Sequence, residues 1–201
     1  TALVDGIVAV PGAGLSIVPG VTTRDASAVP DVMRGEETQL AGAVDAGESR
    51  VLAVLPGTHS KWACVESGRI VDFMSFMTGE LWSVLLAHSI LGRMAVPAAT
   101  PGPPGAAFAL GVRRGLGAGG LGHDIFGART LALFGELDGH DVPDWLSGVL
   151  IGREIRDART WAQRHGHAAS SVRLIGDDAL VARYAAALAL ALVALQLAKR
   201  P

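Results

Sequence analysis

Three observations in the sequence predict an α/β fold. The apolar run 51–55 and the strand-like runs 60–65 and 70–76 are separated by short turns, which is typical of a three-stranded meander. Apolar residues recur at helical spacing through the middle of the chain. A strand, a turn and a helix then follow from residue 171, and strands and helices in this order are typical of α/β proteins.

The composition indicates a well-buried protein and gives no sign of a nucleic-acid or membrane partner. Half of the 201 residues are apolar and 18% are charged, which provides a core for one ordinary domain or two small ones. The net charge of −2 lacks the basic excess that nucleic acids and anionic membranes attract, so we expect neither as a partner. The single cysteine, Cys64, cannot form an intramolecular disulfide and fits a reducing cytoplasm.

Short strands and one helix are expected in the first fifty residues. The apolar run 7–10 predicts a strand, and a second apolar run covers 15–18; proline and glycine follow each of them. The polar segment that leads to Val32 carries no predicted element. A helix is expected from Glu36 to near Gly47, because the helix dipole favours acidic residues in a first turn.

Helices are predicted through most of the remaining chain. Thr78 can cap the first of them, and the proline-rich stretch 97–105 predicts a surface linker. A strand is expected at 171–175. The predicted helices cover 78–91, 106–116, 123–137, 142–164 and the residues from 179 onward.

The turn Pro56-Gly57-Thr58-His59-Ser60-Lys61-Trp62 has the chemistry of a phosphate site. Glycine lets a backbone approach a ligand closely, the two hydroxyl side chains can donate hydrogen bonds, and the lysine supplies a mobile positive charge. Only two of the 17 basic residues are lysines, which suggests an ammonium-specific role for Lys61. The spacing excludes a Walker loop, since a strand follows instead of a helix. A plain hairpin turn remains the alternative.

A second candidate is Arg34-Gly35-Glu36-Glu37-Thr38-Gln39, at the start of the first predicted helix. A carboxylate there can orient a hydroxyl group or a water and take its proton during attack on phosphorus. Arg34 can hold an anionic group of a substrate. Helix capping would equally account for both glutamates.

The remaining signals are weaker. The strand that ends at Gly176 with a helix behind it can leave room for a flat adenine ring, although many αβ units share this pattern. The six histidines lack cysteine partners or an HExxH motif, so no metal site is predicted.

Four blocks, in this order along the chain, resemble the 2-dehydro-3-deoxygalactonokinase family. They are Val32-Met33-Arg34-Gly35-Glu36-Glu37-Thr38-Gln39, Leu55-Pro56-Gly57-Thr58-His59-Ser60-Lys61-Trp62, Met77-Thr78-Gly79-Glu80-Leu81 and Leu146-Ser147-Gly148-Val149-Leu150-Ile151-Gly152. The resemblance implies the sugar kinase, Hsp70 and actin superfamily, in which two ribonuclease H-like domains close over MgATP. It also implies transfer of the ATP γ-phosphoryl group to the 6-hydroxyl of 2-dehydro-3-deoxy-D-galactonate, in galactonate catabolism.

The resemblance also implies roles for particular residues and a division into domains. Residues 1–50 would be the remainder of an N-terminal domain, and 51–201 a C-terminal ATP-binding domain with a helical insert. Glu36 or Glu37 would be the catalytic base. The implied ATP contacts are Gly57, Thr58, His59, Ser60, Lys61 and Gly176, and the implied substrate contacts are Arg34, Thr78 and Glu80.

One departure from the family pattern concerns the first phosphate loop. Family members begin with a strand and an Asp-x-Gly-[ST]-[TN] hairpin, and no such motif occurs in these 201 residues. We therefore expect the chain to be a fragment with an incomplete first domain and weak or no kinase activity by itself.

Two alternatives remain open. A phosphohydrolase of the polyphosphate and guanosine-pentaphosphate type would use water in place of the sugar acid, and a truncated nucleotide-binding fragment would have no catalysis. The Arg34 block and the block 77–81 favour the kinase.

Overall fold

The computed structural model describes residues 6–45, 47–96, 103–167 and 171–198, and the chain forms two compact units. Unit 1 comprises the described residues of Thr1–Pro56, Ser60–Phe76 and Trp161–Gly176, and unit 2 those of Gly57–His59, Met77–Thr160 and Asp177–Pro201. The predicted domain division at residue 50 stays a prediction. Residues 97–102 of the predicted linker lie outside the described residues.

A mixed four-stranded sheet and two small hairpins form the β-structure of unit 1. The strands are β1 (Val8–Val10), β2 (Leu15–Ile17), β3 (Val21–Arg24), β4 (Pro30–Met33), β5 (Val51–Leu55), β6 (Ser60–Glu66), β7 (Arg69–Phe76) and β8 (Ser171–Leu174). The order in the large sheet is β7-β6-β5-β8, with β8 parallel to β5 and the other pairs antiparallel. The predicted meander and the α/β class are confirmed.

The β3–β4 hairpin was not predicted, and side-chain hydrogen bonds connect it to β7. Thr23 Oγ1 donates to Asp72 Oδ1 at 2.6 Å. Ser75 donates from its backbone N–H to Asp31 Oδ2 at 2.7 Å and from Oγ to Asp31 Oδ1 at 2.6 Å. These long-range bonds hold polar residues in strands that local sequence gave no reason to expect.

The helix α1 (Glu36–Ala43) packs on one face of the large sheet. Its Leu40 belongs to a buried cluster with Leu55, Ala63 and Phe73 of the sheet. The helix ends earlier than predicted because Val44 adopts an extended backbone, and the Val44 side chain then joins the same cluster.

Arg173 connects β8 to the segment after α1. Its guanidinium donates to Glu48 Oε1 at 2.6 Å, to Glu48 Oε2 at 2.9 Å and to the Ala43 carbonyl at 2.6 Å. The hydrogen bonds from Arg173 lower the pKa of Glu48 below its ordinary value of 4.5. The bidentate pair therefore favours the folded state when Glu48 is ionised.

Unit 2 is helical. Its helices are α2 (Thr78–His88), α3 (Ala106–Leu116), α4 (Leu121–Leu133), α5 (Val142–Arg164), whose last turn is counted with unit 1, and α6 (Asp178–Ala198). The bounds of α3 and α5 agree with the prediction. No helix of the described ranges has both the length and the apolar character needed to cross a membrane.

The predictions for α2 and α4 were wrong in detail. Helix α2 ends at His88, where residue 91 was expected. Thr78 is not a cap, because the N-cap position is Met77 and no side chain bonds the helix start. The α4 helix begins at Leu121 and ends at Leu133, where residues 123 and 137 were expected. Gly135, with a φ of +73°, takes the backbone out of the helical conformation.

Glycines allow α3 and α5 to pack so closely that their backbones are in contact. A Cβ atom at Gly148 would collide with the carbonyl oxygen of Phe108, and one at Gly111 would collide with the carbonyl oxygen of Trp145. The obstacles are backbone atoms, which cannot rotate away. Larger residues are therefore excluded along this contact.

We expect Gly148→Ala to lower the free energy of unfolding by about 1–3 kcal/mol, the usual cost of overpacking. Gly122→Ala in α4 is the matched control, since its Cβ would have no atom within 4 Å. The control should be neutral or stabilising by up to about 1 kcal/mol, because alanine favours helix. Urea unfolding of both variants measures the difference, and equal stabilities would contradict the packing described.

We expect Glu48→Gln to lower the urea midpoint at pH 7. Since the folded-state pKa of Glu48 is depressed, its stabilisation is present above the ordinary value of 4.5 and is lost as the pH falls through the folded-state pKa. The difference from the unsubstituted chain should therefore disappear in acid. Glu136→Gln, at an exposed site, is the control, and a difference that persists at low pH would contradict the ion-pair explanation.

Candidate active site

The start of α1 holds the two predicted acidic residues in different surroundings. Gly35 has a φ of +112°, a conformation that favours glycine, and its N–H donates to Glu37 Oε2 at 2.7 Å. The Arg34 N–H donates to Glu36 Oε2 at 3.0 Å. Glu37 is only 1% exposed, whereas the Glu36 side chain is 28% exposed. Both glutamates bond backbone N–H groups that precede the helix, and no side chain caps the helix start. Of the two, only Glu36 has substantial access to solvent.

Lys61 lies next to Glu36. Its Nζ is 3.5 Å from Glu36 Oε1, and the lysine side chain is only 6% exposed. In the sheet Lys61 is paired with Leu55 on β5 and Ser75 on β7. The structure thus brings together a residue predicted to bind phosphate and a residue predicted to be the base. Arg34 is exposed beside them.

The loop Gly57–His59 rests on the first turn of α2. The Glu80 N–H donates to the Thr58 carbonyl at 3.0 Å, and the Glu80 carboxylate contacts the His59 ring. A Cβ at Gly79 would lie 2.5 Å from the Gly57 carbonyl oxygen and 2.8 Å from Thr58 Cα. The predicted phosphate residues Thr58 and His59 and the predicted substrate residue Glu80 are therefore neighbours.

The predicted phosphate loop divides into an accessible and a buried part. Thr58 and His59 are exposed and Gly57 is half-buried, whereas Ser60 and Lys61 are buried at the start of β6. Ser60 Oγ has no hydrogen-bond partner among the described residues. A ligand can therefore reach the first three residues of the loop more easily than the last two.

Unit 2 contains a cavity of about 700 Å³. Gly57 and Thr78 contribute to its wall, together with apolar side chains that include Trp82, Leu86 and Ile151. Its size is in the range of small-molecule pockets, about 300–1,000 Å³.

Polar side chains of α5 and α6 complete the cavity wall. Arg183 donates to Asp144 and, from Nε, to Ser147 Oγ at 3.4 Å, and its guanidinium lies 4.8 Å from the ring centre of Phe108. Tyr184 donates its hydroxyl hydrogen to Glu154 Oε2 at 2.8 Å. The sequence analysis gave these residues no role, because no local pattern shows that side chains 39 positions apart meet.

Gly176 lies at the carboxyl end of β8. Its φ of +150° favours glycine, and a Cβ there would be 3.4 Å from the Pro56 carbonyl oxygen. Within 6–45, 47–96, 103–167 and 171–198, no cluster of three or more His, Cys, Asp or Glu side chains could hold a metal ion.

Comparison with known proteins shows that the chain is similar to one family of kinases. The chain matches 2-keto-3-deoxy-galactonokinase over residues 1–200. It is 38% identical over 174 residues to the 2-dehydro-3-deoxygalactonokinase of Escherichia coli (strain K12), and 38% identical over 176 residues to DgoK1 of Rhizobium meliloti (strain 1021), assigned the same activity. These matches cover 86% and 87% of this chain and 56% of each relative.

A solved structure gives the same result. The crystal structure of a Sinorhizobium meliloti protein assigned as a 2-dehydro-3-deoxygalactonokinase is 33% identical, with a TM-score of 0.72, over 90% of this chain and 68% of that one. The sequence resemblance is thereby confirmed. Although it spans just over half the length of its curated relatives, the chain belongs to the 2-keto-3-deoxy-galactonokinase family.

Proposed function

We propose that this chain acts in the ATP-dependent phosphorylation of 2-dehydro-3-deoxy-D-galactonate at its 6-hydroxyl. Membership of the family and the name of the Escherichia coli relative support the substrate and the reaction class. The observation that carries the proposal is the open space beside Gly57, on the wall of the unit 2 cavity. A ribonuclease H-like architecture, divided near residue 50, belongs to the same proposal.

The surroundings of Gly57 support the proposal that ATP is the phosphoryl donor. A Cβ added there would have no atom within 4 Å, and its φ is not in the left-handed range, so neither packing nor backbone conformation requires glycine. A close approach of phosphate oxygens would require it. The exposed Thr58 and His59 can donate further hydrogen bonds, and Ser60 and Lys61 continue the loop.

The nucleoside would occupy the rest of this cavity. Gly176 lies two positions before α6 in the chain, and the first turns of α6 contribute Leu180 and Arg183 to the wall. Because the described residues provide no metal cage, Mg²⁺ would be held mainly by the phosphates of ATP, whose charge it neutralises.

Glu36 is the proposed base. Its carboxylate accepts the proton of the 6-hydroxyl while that oxygen attacks the γ-phosphorus, the bond to the bridging oxygen breaks, and ADP leaves. Glu37 is too deeply buried to reach a substrate. Arg34 is the proposed partner of the substrate carboxylate, and Thr78 and Glu80, next to the phosphate loop, are proposed to contact the substrate.

ADP and phosphate release from MgATP, with and without the sugar acid, test the function in the full-length protein. We expect ADP only when the acid is present. Glu36→Gln should lower kcat by about 10²–10⁴-fold, the usual contribution of a general base, whereas Glu37→Gln, which keeps an oxygen that can accept from the Gly35 N–H, should stay close to the unsubstituted protein. Phosphate release without the acid would favour the hydrolase, and ATP binding without turnover would favour a non-catalytic nucleotide-binding protein.

Gly57→Ala tests the phosphate loop without disturbing the fold. Because its methyl group would meet no protein atom, we expect unchanged thermal stability and a Kd for MgATP raised about tenfold or more, which corresponds to about 1.4 kcal/mol. Gly122→Ala, also in open space, is the control and should bind ATP normally. Unchanged ATP affinity in Gly57→Ala, measured by calorimetry, would contradict the proposed loop.

A further inference from the structure

We propose that Lys61 is a positioning residue whose ammonium group holds the Glu36 carboxylate in its reactive orientation, and that it is not a phosphate ligand. The inference rests on the proposed role of Glu36 as the base. It assigns Lys61 a different function from the neighbouring residues of the loop.

The pairing of the strands directs the Lys61 side chain under α1. Residues directly opposite each other in antiparallel strands share one face of a sheet, and Lys61 is opposite Leu55. Leu55 belongs to the buried cluster that packs against α1. Ala63, which lies two positions after Lys61 on β6 and so on the same face, belongs to it as well. The lysine therefore extends along the covered face of the sheet to the first turn of α1.

The ammonium group needs a nearby carboxylate because burying an unpaired charge is costly. The nearby carboxylates Asp31, Glu37 and Glu36 each accept a backbone hydrogen bond, and of these Glu36 forms an ion pair with Lys61. Asp31 accepts two bonds from Ser75, and Glu37 accepts one from the Gly35 N–H. Glu36 Oε1 is 3.5 Å from the ammonium nitrogen.

Glu36 is held at both oxygens. Oε2 accepts from the Arg34 N–H at 3.0 Å, and Oε1 faces Lys61. Two fixed contacts restrict the rotation of a carboxylate that otherwise has three flexible torsions, and they leave an exposed edge for the substrate hydroxyl. Loss of Lys61 would release one oxygen without touching the exposed residues 57–59.

The test measures kcat and the Kd for MgATP in the full-length protein for Lys61→Met, Glu36→Gln and the double variant. We expect Lys61→Met to lower kcat at least tenfold and to change the Kd less than threefold. In the Glu36→Gln background it should have no further effect on kcat, because the residue acts through Glu36. Cys64→Ala, also buried on β6, controls for a general loss of packing and should keep its kcat.

Two results would overturn the proposal. A Kd for MgATP raised tenfold or more, with kcat retained at saturating ATP, would make Lys61 a phosphate ligand. Multiplicative losses of kcat in the double variant would show that Lys61 acts independently of Glu36. Absence of ADP from the unsubstituted full-length protein, by contrast, would overturn the proposed function itself and the catalytic role of Lys61 with it.

Discussion

The parallel pairing of β8 with β5 is the constraint on which the rest of the architecture depends. Every residue of β5 is buried, so the strand carries no functional side chain itself. Its register with β8, from Val51 opposite Ser171 to Val54 opposite Leu174, brings the carboxyl ends of the two strands to the same edge. Ligands of α/β proteins usually bind outside such carboxyl ends. The turns that follow these strands contain the Gly57 loop and Gly176.

Gly148 and Gly57 differ in what surrounds them. Along the contact of α3 and α5 a methyl group would meet backbone, so residues such as Gly148 are glycine because the helices touch. At Gly57 the same methyl group would meet nothing, so the protein itself gives no reason for glycine. Gly122 shares this open space, so it is the place of Gly57 on the cavity wall that supports a ligand there.

The sequence predicted the bounds of helices and strands correctly where local patterns determine them. Strand β5 and helices α3 and α5 have the predicted bounds, because continuous apolar runs and helical periodicity are strong local signals. The β3–β4 hairpin was missed because bonds such as Thr23 to Asp72, 49 positions apart, stabilise it. The same limit applies to the site. The sequence placed two glutamates at the start of a helix, but the packing of α1 on the sheet determines that Glu37 is buried and Glu36 accessible.

The connection from β5 to β6 can serve two functions. The exposed residues 57–59 are suited to a phosphoryl donor, and Lys61, only two positions further on, is buried and turns its ammonium group toward Glu36. Burial separates the two proposed roles, because a ligand can reach residues 57–59 directly, whereas Lys61 would act through the carboxylate that it holds.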